Sequence, residues 1–192
     1  MIMSLVDLSK IFFFGSVILW LLPPIRHNKG SFFLFFLILA LLDPVSYIYA
    51  KFFQSSNLWI YILFYFLLIV SVVSKEVLVR YKYSFILITV LLLLSFIYNL
   101  PPNYYFIIIV LEHLTLLLIF IKNLITTFAN DRKINLFYLM LVIYELLSIF
   151  KFFNLLIGFA DAIAFFIITS IFQIAFGLFF SIFREDNPRL VL

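Results

Sequence analysis

Seven apolar runs, 18 to 24 residues long and separated by short polar stretches, constrain this chain more than any motif does. They cover 5–25, 31–50, 57–74, 83–100, 103–121, 134–153 and 160–183. At ~1.5 Å per residue, a helix of this length crosses a ~30 Å hydrocarbon core. Lipid offers the backbone no hydrogen bonds, so only helices and closed barrels cross it. Barrel strands alternate apolar and polar residues over ~10 positions. Segments such as SVILWLL and TVLLLLSFI are continuously apolar. The sequence therefore predicts an all-α polytopic bundle of seven transmembrane helices, one domain over residues 1–192, with the lipid bilayer as its surroundings. Composition agrees: 11% of residues are charged, against ~25% in soluble domains. The first run lacks a cationic leader and a small-residue cleavage site, so it reads as a retained span.

Loop charges orient the bundle. With seven spans, the 25–30, 75–82 and 122–133 segments and the C-terminus share one side. That side holds Arg26, Lys29, Lys75, Arg80, Lys82, Lys122, Arg132, Lys133, Arg184 and Arg189; only Lys10, Lys51 and Lys151 fall on the other. A ten-to-three split over short loops places the N-terminus outside and the C-terminus in the cytoplasm. It also accounts for the net charge of +4 without nucleic acid as a partner.

Depth then selects the candidate site. Pro101 to Lys122 carries Glu112 and His113 at its middle, where a charged acid costs at least ~2.5 kcal/mol. Glu145 is central in the sixth span, Gln173 nearly so in the seventh, and Asp43 slightly outward of centre in the second. Thr169, Gln173, Gly177 and Ser181 recur every four residues and form one stripe. Tyr138, Glu145 and Ser148 share a face of the sixth span; Tyr105, Glu112 and Thr115 share one of the fifth. Spans five to seven are expected to turn these faces inward, joined by Asp43-Pro44. The candidate binding cluster is thus Asp43, Glu112, His113, Glu145, Thr169 and Gln173. The plainer reading of each is hydrogen-bonding glue between helices.

Catalytic chemistry has little to build on. The chain has no cysteine and four glycines; it has no His-Glu-x-x-His, Gly-x-Ser-x-Gly or phosphate-binding loop. Its histidines, His27 and His113, fall at different depths. No catalytic residue, metal site or cofactor is expected. Seven spans can be divided three, one, three, as in small carriers built from parallel repeats, with 83–100 as the linker. The proline–glutamine motif of such carriers is absent, and Pro23-Pro24 and Pro101-Pro102 are not in equivalent positions. Two functions are expected from this pattern. One is a non-enzymatic accessory subunit or sensor-like domain, acting through a membrane-protein partner or a second copy of itself. The other is a small-solute or proton-coupled carrier using Glu112 and Glu145.

Three motifs carry a resemblance. Arg26-His27-Asn28-Lys29 after Pro23-Pro24, the run Asn57-Leu58-Trp59-Ile60-Tyr61, and Val110-Leu111-Glu112 make the chain similar to small seven-span membrane proteins of Bacteroidota-type bacteria. The resemblance implies the seven-helix fold and a multi-pass place in the bacterial inner membrane, and it implies no activity. An acid associated with the third helix of that group is missing here, where Phe64-Tyr65-Phe66 stand.

Overall fold

The computed structural model describes residues 5–53, 58–98 and 100–190. Asn57 and Asn99, which fall in the third and fourth expected spans, lie outside the described residues. The described chain is almost entirely helical, with no strand. Its α-helices are α1 (Leu5–Trp20), α2 (Leu22–Arg26), α3 (Phe33–Phe53), α4 (Leu58–Val72), α5 (Lys75–Arg80), α6 (Lys82–Ile97), α7 (Pro102–Asp131), α8 (Leu136–Ile157) and α9 (Ala162–Ile182). Among the described residues, five stretches are long and apolar enough to cross a membrane: Asp7–Arg26, Phe33–Phe53, Pro102–Asp131, Leu136–Ile157 and Ile163–Ile182. The apolar helices α4 and α6 are shorter.

Local chemistry sets the boundaries. Pro102 starts α7 at a position where a missing N–H costs nothing. The Asn135 side chain accepts from Phe137 N (2.9 Å) to open α8, and Asp161 accepts from Ala164 N (2.8 Å) to open α9. Gly158, at φ 66°, ends α8 in the left-handed conformation that glycine adopts without strain. Helix α7 differs from expectation. It continues past Ile121 to Asp131, because Lys122 to Asp131 contain no proline or glycine to stop it. Its 30 residues span ~45 Å, well beyond the ~30 Å hydrocarbon core.

Six helices close a ring. Helix α1 packs along α9, α9 on α8, α8 on α7, α7 on α4, α4 on α3, and α3 returns to α1. One end of the ring is filled with aromatic rings: Phe35, Phe36, Phe120, Phe137 and Phe180 are fully buried and in edge or tilted contact with one another. Helix α6 stands outside the ring, against α4 and α5. Among its described side chains only one stripe, Phe85, Thr89 and Leu92, is partly covered.

At the aromatic end, His27 seals the ring. It is 0% exposed. Its Nδ1 meets Glu185 Oε2 at 2.9 Å, and its Nε2 donates to Phe180 O at 3.1 Å. Ser31 donates to the other carboxylate oxygen through both its N–H and its hydroxyl. A β-carbon on Gly30 would sit 2.5 Å from Glu185 Oε1, so any other residue there would push the carboxylate aside. The turn before α3 is thereby tied to the segment after α9.

Candidate functional site

The middle of the ring is polar. Helix α7 carries His113 and helix α8 carries Glu145 into the shared contact, where His113 Nδ1 and Glu145 Oε2 lie 2.6 Å apart. Both side chains are sealed, at 0% and 1% exposure. The His113 ring lies between Tyr65 of α4 (centroids 4.1 Å apart) and Phe152 of α8 (5.4 Å, stacked). His113 Nε2 and Glu145 Oε1 are buried with no hydrogen-bond partner among the described residues. The strength of the site is therefore concentrated in one short contact.

Glu112 does not share this pair. It is buried at 8% exposure, and its Oε2 has no partner among the described residues. One residue along a helix is a turn of ~100°, which sends Glu112 and His113 to different neighbours. The expected face of Tyr105, Glu112 and Thr115 holds in part. Tyr105 and Glu112 are buried, whereas Thr115 is exposed and bonds back to Leu111 O.

A second polar group lies beside the first. Tyr61 of α4 donates to Asp43 Oδ1 of α3 at 3.3 Å. Asp43 faces Lys151 of α8 across a cavity of about 20 Å³, whose wall also includes Gln173 and Trp20. That volume holds one or two waters at ~10–15 Å³ each. Ser148, Lys151, Thr169 and Gln173 line a further void of about 10 Å³ between α8 and α9. Lys151, with Asn154 and Phe165, borders a third of about 60 Å³. None of these three voids is lined by Glu112, His113 or Glu145.

Of the six residues expected in the cluster, His113 and Glu145 are joined directly. Asp43, Thr169 and Gln173 gather around Lys151, and Glu112 stands apart. The stripe on α9 is used as close packing: Gly177 admits Leu19 and Trp20 of α1, and Trp20 Nε1 donates to Gln173 O at 3.1 Å. Lys151 was not foreseen. The sequence assigns it to the outer loop charges, but it is partly buried and its Nζ lies 5.4 Å from the Phe166 ring centre. Its helical position, three residues from Ser148 and six from Glu145, was the available signal. Among the described residues no group of three or more His, Asp or Glu side chains is placed to hold a metal ion.

No protein-family model matches the chain, and neither does any curated protein or solved structure.

Proposed function

We propose that the chain is a seven-span protein of a bacterial inner membrane, N-terminus outside and C-terminus in the cytoplasm. It acts without catalysis, as an accessory or sensor-like domain working through membrane partners. Helix α6 carries this reading. The ring closes without it, and its outer face of Leu87, Val90, Leu91 and Leu94 is exposed along its length. That face lies opposite the stripe that touches α4. A helix so placed is available to a neighbouring membrane protein or a second copy. Seven-span alternation is supported by the meeting of Ser31 with Glu185, and of Ser31 with Lys75 and Asn123 around one groove; all four belong to segments that alternation puts on one side.

The polar middle supports the same reading, because the His113–Glu145 pair is sealed and acts as a fixed joint between α7 and α8. The small voids around Lys151 bear on the second reading, a proton-coupled carrier, but Glu112 and Glu145, the acids expected to serve it, line none of them. Each is far below the ~300 Å³ at which ligand pockets begin. Affinity purification from mild detergent is expected to recover the protein with a second membrane component. Replacing Leu87, Val90, Leu91 and Leu94 together by alanine should release it. A monodisperse monomer with nothing bound contradicts the reading.

A further inference from the structure

At the end of the ring where Ser31, Lys75 and Asn123 meet, a groove of about 650 Å³ opens among α3, α4, α7 and α8. It falls within the ~300–1,000 Å³ typical of ligand clefts. Its inner wall is apolar, made by Leu34, Ile38, Leu67 and Val70. From Ser31 to Ile38 the groove follows seven residues of chain, or ~10 Å of depth at ~1.5 Å each. Its mouth is polar: Lys75 is exposed, and Asn123 and Tyr138 are half-buried. The side-chain nitrogen atoms of Lys75 and Asn123 and the Tyr138 hydroxyl make no hydrogen bond or ion pair with another described residue.

We propose that this groove holds an acyl chain of an anionic phospholipid, its phosphate bound by Lys75 with Asn123 and Tyr138. The apolar wall matches a hydrocarbon chain, which water would solvate poorly. The three free polar groups at the mouth are a cation and two hydrogen-bond donors, the set that a phosphate diester accepts from. Charge agrees. By the alternation proposed above, ten of the thirteen Lys and Arg share this end, against Glu76, Asp131, Glu185 and Asp186. A bilayer surface supplies such a lipid at the depth where the groove opens.

The test is native mass spectrometry of the purified full chain, released from detergent micelles containing equal phosphatidylglycerol and phosphatidylcholine. The wild type should retain phosphatidylglycerol ~5-fold over phosphatidylcholine, the scale of one cation at an anionic surface. Lys75→Gln should erase that preference. Lys133→Gln, a cation removed at the same end but outside the groove wall, should leave it. Ser71→Trp, which fills the groove, should lose both lipids; Val70→Phe serves the same purpose if that variant does not fold. Equal retention of the two lipids by the wild type overturns the proposal. So does a Lys133→Gln effect as large as that of Lys75→Gln, which would mean surface charge alone, or lipid retention unchanged by the filled groove.

Discussion

Replacing Glu145 by leucine is expected to cost about 3 kcal/mol or more of stability, because it leaves His113 fully buried without its partner. His113→Leu should cost a similar amount by stranding the carboxyl. The double variant His113→Leu/Glu145→Leu should be far less damaging than the sum of the two, since an apolar pair fills the same space and leaves no buried polar group stranded. Unfolding of all four proteins in one detergent gives the coupling energy. Ordinary hydrogen bonds between membrane helices couple by ~0.6 kcal/mol on average. A short contact between an acid and a base, buried on all sides, should exceed that severalfold. Additive single effects would show that the 2.6 Å contact contributes no more than packing.

The second large effect is at the aromatic end. Glu185→Leu removes the partner of His27 Nδ1 and frees the Ser31 N–H. The loss should be ~1–3 kcal/mol for the buried ring nitrogen and little for Ser31, which water can reach. Acid should reproduce it. Burial raises the Glu185 carboxyl, but hydrogen bonds from its own backbone and from His27 and Ser31, with the nearby imidazole charge, outweigh that and hold it below the ordinary 4.5. A carboxyl lowered in the folded state stabilises fully above its unfolded value and loses that contribution as pH falls through its folded one. The wild type should therefore lose stability progressively below pH 4.5. Glu185→Gln, weaker throughout, should show a shallower decline over the same range. Parallel pH profiles for the two proteins would contradict the role given to Glu185.

Which parts of this were legible in the sequence follows from what each part depends on. Helices were legible because twenty apolar residues in lipid have no other way to satisfy their backbone. The depth of Glu112, His113 and Glu145 followed from counting along those helices. Which of them meet did not, because lipid-facing and core-facing residues are equally apolar and the usual helical periodicity of burial disappears. Helix α6 illustrates the same blindness: nothing in its composition separates it from α4, which is in the ring. His27 read as a loop residue because its partner, Glu185, lies 158 positions away. Lys151 read as an outer charge because polar groups it shares a cavity with, Asp43 among them, lie on other helices. Helix α7 runs on past the apolar run because the run marks where a span can lie in lipid, and Lys122 to Asp131 contain no proline or glycine to end the helix there.

Because the chain has no cysteine, single cysteines report one position each, and a bulky membrane-impermeant thiol reagent tests the central claim directly. That claim is a seven-span bundle with a sealed polar middle. In intact cells Phe159→Cys, between α8 and α9, should be labelled from outside. Lys133→Cys, between α7 and α8, should be labelled only after permeabilisation. Ser148→Cys, in the void beside Lys151, should be labelled in neither state without unfolding. Labelling of Lys133→Cys in intact cells would overturn the orientation, and labelling of Ser148→Cys in the folded protein would show an open path into the polar middle.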